Sequence, residues 1–430
     1  MILRLYAILS YLLVPLLKAY LRVRLKKGKE VQDRIQERFG ISTYPRKKGK
    51  LIWLHGVSVG ESLSLLSFIH YLARLYPDLN ILLTTGTTTA AKLVESKLPS
   101  NAIHQFFPLD VPLYWKRFLD HWQPDVALVT ESEIWPNMIQ GCKHQGIPLF
   151  LINARLTEKS FKRWLYFSKT AYKIFSGFRF IFAQSESIAQ RLRHFTGHVQ
   201  VMPNLKFAAQ PLTCNEEVLK ALSQKIKDRP IIAFGSTHPG EEDIIFPVFK
   251  KLKDTFPDLL MLLAPRHVVR SESITQRLSQ LNHTTARRSK EELPTTETDV
   301  FLFDTMGELG LFYRLSPISF VGGSLVPGIG GHNPIEPAQL GCAVLWGPYM
   351  VNASDICAIL DKYAFSVSEN TLYHTLHDLL KNPSKALKAG KDIQSLALDQ
   401  KGNLKDLAKM CEPFLGIPQQ HDTLNAAQST

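Results

Sequence analysis

Acidic side chains stand where apolar runs end in the first half of this chain, a placement suited to taking a proton. In "LIWLHGVSVGESLSLLSFIHYL", residues 51–72, a strand-like run closes in a glycine-bearing turn. Glu61 follows, heading a segment in which Leu65, Leu66, Ile69 and Leu72 recur at helical spacing. A carboxylate in the first turn of a helix either complements the helix dipole or does chemistry at the carboxyl edge of a parallel sheet, where ligands of open α/β folds bind. Glu131 and Glu133, in "TESEIWPN", close another such run. Two acids there are either solvated surface or, beside a cleft, candidates for base work. Lys206, in "PNLKF", is bland in isolation.

The second half carries groups suited to a nucleotide. Arg266 and His267 follow "LLMLLAP", and a guanidinium at a strand end can fork a phosphate. Gly307 and Glu308, in "TMGELG", open a helical segment whose backbone N–H groups could meet an anion. In "SLVPGIGGHNPIEPAQLG", Gly328, Gly330 and Gly331 permit close backbone approach, Pro334 and Pro337 start a helix, and Glu336 could hold a ribose diol. This loop is neither GxGxxG after a first strand nor GxxxxGK[ST], so the dinucleotide and P-loop readings lose ground. There is no DxD pair to bridge a diphosphate through a metal, and no metal is expected.

These residues need strands and helices to hold them, and the chain supplies them twice. "LIWLHGVSVGE…YPDLNILL" matches "IIAFGSTHPGE…FPDLLMLL" without a gap at an offset of 180 residues, Leu51 falling on Ile231 and Glu61 on Glu241. Each copy reads as strand, glycine turn, acid-led helix, turn and strand. The expectation is an α/β fold of two tandem Rossmann-like, doubly wound domains with a cleft between them. Further strand candidates are 125–131, 147–155 and 178–185, then 258–267, 299–304, 317–325 and 342–348. Periodicity fails near 201–217, which reads as the linker. The expected division is a membrane anchor at 1–24, a first domain at 25–208, a second at 209–415 and a frayed tail at 416–430.

Bulk properties fit. The 430 residues exceed one ordinary core, and 45% hydrophobic with 21% charged residues suits a folded α/β protein. The net charge of +13 calls for an anionic partner. Nucleic acid is disfavoured, because no basic motif is interleaved with aromatics. Five scattered cysteines without a CxxC pair argue against disulfides and zinc, and for a reducing compartment. At the N-terminus the uncharged run 5–17 precedes "RVRLKKGK", with no small-residue cleavage site after it. It reads as an interfacial helix or a marginal single span, its basic flank facing anionic lipid on the cytoplasmic side; a core helix is the alternative.

Together "WLHGVSVGE", "TESEIWPN", "PNLKF", "APRH", "DTMGELG" and "GGHNPIEPA" resemble, in order, the 3-deoxy-D-manno-octulosonic acid (Kdo) transferases of lipopolysaccharide synthesis. The residue before Asn204 is proline, where that family often has glycine. The resemblance implies a GT-B glycosyltransferase at the cytoplasmic face of a bacterial inner membrane. It would move Kdo from CMP-Kdo, with inversion, to the glucosamine disaccharide of a lipid A precursor (lipid IVA), without a cofactor. It also implies roles: Glu61 as general base, Glu131 and Lys206 stabilising the transition state, and Arg266, His267, Gly307, Glu308, Leu309, Asn333, Pro334, Ile335 and Glu336 contacting CMP. The number of Kdo residues added stays open. So do the alternatives: another GT-B nucleotide-sugar transferase acting on a membrane lipid, or a nucleotide-sensing scaffold without catalysis.

Overall fold

The computed structural model describes residues 2–202, 204–226, 228–399 and 403–417. Apolar runs bounded by turns become strands buried on both faces, the pattern of parallel sheets covered by helices. In the first sheet these are β1 (Leu51–Gly56), β2 (Asn80–Thr85), β3 (Ala102–Phe106), β4 (Val126–Thr130), β5 (Leu149–Ala154), β6 (Phe180–Ala183) and β7 (Val199–Val201). In the second they are β8 (Ile231–Thr237), β9 (Leu260–Pro265), β10 (Thr285–Arg287), β11 (Val300–Leu302), β12 (Ile318–Val321), β13 (Ala343–Trp346) and β14 (Phe365–Ser366). The orders are β3-β2-β1-β4-β5-β6-β7 and β10-β11-β9-β8-β12-β13-β14. Winding therefore reverses between β1 and β4 and again between β8 and β12, and such reversals open the crevices that take ligands. The expected tandem Rossmann-like domains are present.

The internal repeat survives at the level of strand register. Leu51 pairs with Asn80 in β1–β2, and Ile231 pairs with Leu260 in β8–β9. Each first strand feeds an acid-led helix, Val59–Leu75 and Glu241–Lys253. One face of the first sheet packs Trp53 against Trp115 and Phe118; the other packs Ile52 and Leu54 against Leu65, Phe68, Ile69 and Leu72. Burying each such side chain contributes roughly 1.5–3 kcal/mol before entropy is counted. In the second unit Phe234, Phe246, Phe249 and Phe320 serve the same purpose.

The chain divides into two compact units at Ala209/Gln210, inside the expected linker. The far boundary differs from the expected end of the second domain at 415. Helix Asn403–Leu415 belongs to the first unit, where Leu404, Leu407, Ala408, Cys411 and Leu415 join Ile52 and Leu54 in one core, and Tyr76 donates to Glu412. Residues 418–430, most of the expected tail, lie outside the described residues.

The N-terminal apolar run forms two helices, Ile2–Leu12 and Val14–Lys26, bent by 57° near Pro15. Neither alone is long and apolar enough to cross a membrane. The first is tied to its unit by polar contacts. Tyr6 donates to Asp110 Oδ2 (2.9 Å), and Asn137 Nδ2 donates to Ser10 Oγ (3.2 Å). Burial pushes the Asp110 carboxyl up, although Tyr6, Trp115 and two backbone N–H groups donate to it. Leu5, Ile8, Leu12 and Leu16 stay exposed.

Candidate active site

In the first unit the turn after β1 folds Glu61 back on itself. Ser58 caps helix Val59–Leu75 by accepting from the Glu61 N–H. In return Glu61 Oε1 accepts from Ser58 Oγ (2.7 Å), and Oε2 accepts from the Val57 N–H (2.9 Å). Oε2 also meets Thr130 Oγ1 at 2.9 Å, at the end of β4; that hydroxyl's single proton is shared with the His55 carbonyl at 3.1 Å. A carboxylate offers about four acceptor directions, two on each oxygen. Among the described residues these contacts fill three and leave one on Oε1.

The next residue, Glu131, has φ 54, the left-handed region a non-glycine residue seldom enters. Its backbone is held by β5, the N–H donating to Ile152 O and the carbonyl accepting from Arg155 N. Its carboxylate lies 3.5 Å from Lys206 Nζ and 3.6 Å from Arg155 Nη1. Lys206 is positioned by two asparagines: Asn204 Oδ1 accepts from the Lys206 N–H, and Asn153 Oδ1 accepts from the Leu205 N–H. Glu61 and Glu131 thus stand at the carboxyl ends of β1 and β4, and Lys206, which follows β7, approaches Glu131.

In the second unit Arg266 and His267 are exposed where β9 ends. His238 follows β8, and its Nε2 lies 2.8 Å from Nε2 of His332, in the loop after β12. Burial first, then the neighbouring positive groups, lowers His332 to about 4. His238 is lowered too, chiefly by burial. Asn333 donates to Glu336 Oε1 at 3.2 Å and accepts from the Ile335 N–H. Burial raises the Glu336 carboxyl, against the pull of Asn333 and Arg266. Pro334 precedes the short helix Ile335–Gln339. Arg266 thus acts electrostatically on His238, His332 and Glu336, and His267 acts on the two histidines.

Gly307, with φ 84, precedes Glu308, and Leu309 begins helix Leu309–Arg314. Burial disfavours the Glu308 charge, but Arg288 (2.8 Å) and Thr305 outweigh it and hold the carboxyl low. Glu308 is therefore committed to Arg288. Sequence reasoning missed His55, Asn153, Arg155, His238, Arg288 and His332. The repeat does flag one of them, since His238 falls on Ser58, the helix cap. Among the described residues no group of three or more His, Cys, Asp or Glu is placed to hold a metal.

Comparison with known proteins agrees with this architecture. The chain is 36% identical over 390 residues to the 3-deoxy-D-manno-octulosonic acid transferase of Rickettsia bellii, covering 90% of this chain and 93% of that one. It is 31% identical over 424 residues to the enzyme of the same name from Haemophilus influenzae, covering 95% and 98%. The UDP-GlcNAc 2-epimerase of Neisseria meningitidis shares the fold alone, at 15% identity and TM-score 0.58 over 84% of this chain and 98% of that one. Residues 33–209 match the family described as 3-Deoxy-D-manno-octulosonic-acid transferase (kdotransferase). The chain belongs to the 3-deoxy-D-manno-octulosonic acid transferase family.

Proposed function

We propose that this protein transfers Kdo from CMP-Kdo to the glucosamine disaccharide of a lipid A precursor, with inversion, and that Glu61 is the base. One observation carries the assignment of the base: Glu61 Oε1 keeps an acceptor direction while its other contacts fix the carboxylate in place. The acceptor hydroxyl gives its proton to Oε1 as its oxygen bonds to the anomeric carbon of Kdo. The bond from that carbon to the CMP phosphate oxygen breaks, and CMP leaves. Charge on the oxocarbenium-like centre favours a nearby carboxylate such as Glu131. Lys206 balances the Kdo carboxylate or the departing phosphate. In the second unit Arg266 and His267 meet the phosphate, and the segment Asn333–Glu336 holds the cytidine side, with Glu336 on the ribose diol. Gly307, Glu308 and Leu309 line the same nucleotide, Glu308 through its position rather than a free carboxylate.

The N-terminal helices suit the surface of an anionic membrane on its cytoplasmic side. Their exposed leucines adjoin the exposed Arg22, Lys26, Lys27 and Lys29, so apolar burial and charge attraction act together. Mass spectrometry of lipid products tests the reaction. A lipid A precursor with CMP-Kdo should gain one or more Kdo units, equally with EDTA present. Transfer from a UDP-sugar and none from CMP-Kdo would overturn the assignment.

A further inference from the structure

Trp135 has no part in the scheme above, and its surroundings are unusual for a tryptophan of this chain. Trp53, Trp115, Trp122 and Trp346 are at most 3% exposed, whereas Trp135 is 38% exposed. It precedes helix Pro136–His144 at the carboxyl edge of the sheet, a few residues past Thr130 and Glu131. Its Nε1 donates to Glu133 Oε2 at 2.5 Å, which fixes the ring against the acid. Behind the ring lies Phe107, 6.3 Å away between centroids, and His55 stacks on Phe107 at 3.6 Å.

His55 is fully buried. Its Nδ1 is engaged by Thr84, 2.9 Å from the hydroxyl and 3.0 Å from the carbonyl oxygen. That leaves Nε2 turned toward the surface pair. It makes no hydrogen bond among the described residues, and Glu133 Oε2 lies 3.4 Å from it. A buried polar atom without a hydrogen-bond partner is costly, and the polar group this one faces is the Glu133 carboxylate. The same histidine's carbonyl shares the Thr130 hydroxyl with Glu61. One run of contacts therefore joins the base to the exposed ring: Glu61, Thr130, His55, Glu133, Trp135.

We propose that Trp135 and Glu133 form a platform for a pyranose ring of the acceptor, with His55 as the positioning residue beneath it. This rests on the reaction proposed above. An indole that is apolar on its face and polar at its edge suits a sugar, whose C–H face is apolar and whose rim carries hydroxyl and amide groups. The ring packs on the indole, and Glu133 accepts from a hydroxyl or N–H of the same sugar. The platform holds the disaccharide while Glu61 takes the proton from the reacting hydroxyl. It contributes acceptor specificity rather than chemistry.

The test is calorimetric titration of the full-length protein with deacylated glucosamine disaccharide bisphosphate, and separately with CMP. Trp135→Ala should weaken the disaccharide about tenfold or more while leaving CMP binding and the melting temperature unchanged. Trp135→Phe should retain most of the affinity, because stacking survives, and Glu133→Gln should fall between the two. In steady state the acceptor KM should rise in Trp135→Ala with little change in kcat. Disaccharide binding equal to wild type in Trp135→Ala overturns the platform. Equal loss of both ligands in Trp135→Phe does so too, since that marks a merely structural ring. If wild type binds the disaccharide in a Trp135-dependent way yet transfers no Kdo, the platform stands and the proposed reaction fails. Kdo transfer with no dependence on Trp135 gives the converse.

Discussion

Glu61 and Glu241 occupy the same place in two copies of one motif, yet their carboxylates have opposite fates. Glu241 is fully buried and accepts four backbone N–H groups: Ser324 and Leu325 on Oε1, His238 and Gly323 on Oε2. All of its roughly four acceptor directions are filled. Glu61 is half-buried, and among the described residues only the Val57 N–H comes to it from the backbone. The strand across the switch point makes the difference. In the second unit β12 ends in Gly322–Gly323, where a Cβ on Gly322 would lie 2.5 Å from the Ser236 carbonyl oxygen and Gly323 has φ 71. The loop can therefore turn its N–H groups into the carboxylate. In the first unit β4 ends in Thr130–Glu131, which present side chains instead. One copy uses its acid to hold the fold together; the other keeps an acceptor direction open, which the proposed reaction assigns to the acceptor hydroxyl.

Breaking the saturated copy should have the largest effect. Glu241→Gln puts an amide N–H₂ against buried N–H donors and should cost about 3–5 kcal/mol. Urea denaturation would show it, and a loss below 1 kcal/mol would mean that the second acid is not a structural pin. A smaller effect separates the ligand groups of the second unit from its structural ones. Arg266→Ala should weaken CMP roughly ten- to hundredfold while sparing cytidine, since charge-assisted hydrogen bonds to phosphate are what it removes. Equal losses by calorimetry would deny Arg266 the phosphate.

The histidine pair of the second unit adds a pH slope. His332 titrates at about 4 in the folded protein against 6.5 for the ordinary side chain. Between those values the unfolded chain binds a proton that the folded one refuses, so stability should fall as pH drops from about 6.5 to about 4, then level off. His332→Gln should flatten that limb. Denaturation curves at several pH values across the window would show whether it does.

Much of the fold was legible because its signals are local. The offset repeat and the apolar runs gave the central strands of both sheets, and the loss of periodicity near 201–217 located the division between units. Edge strands β3, β7, β10 and β14 escaped, being short or only partly buried and so poorly patterned. The last helix escaped differently. Leu404, Leu407, Cys411 and Leu415 show helical spacing, but spacing cannot say which core a helix joins, and here it joins the first. The strand-end acids could be seen as candidates, whereas His55 and His332 could not. A single histidine in an apolar run or a glycine-rich loop looks like any other until its neighbours are known. Nor did the pattern distinguish Glu61 from Glu241, because the deciding residues lie some 70 to 80 positions further along.

The contrast between the two acids is tested most directly by Glu61→Gln, followed through three readouts in one preparation. The substitution keeps the size of the side chain and an oxygen for the Ser58 or Val57 contact, so stability should change by about 1 kcal/mol or less. CMP affinity, which the proposal assigns to residues of the second unit, should equal that of wild type. Kdo transfer to a lipid A precursor should fall about a hundred- to ten-thousandfold, the usual contribution of a general base. Transfer at the wild-type rate in a folded, CMP-binding Glu61→Gln protein would contradict the account, and Glu61 would then be, like Glu241, an acid that only builds the fold.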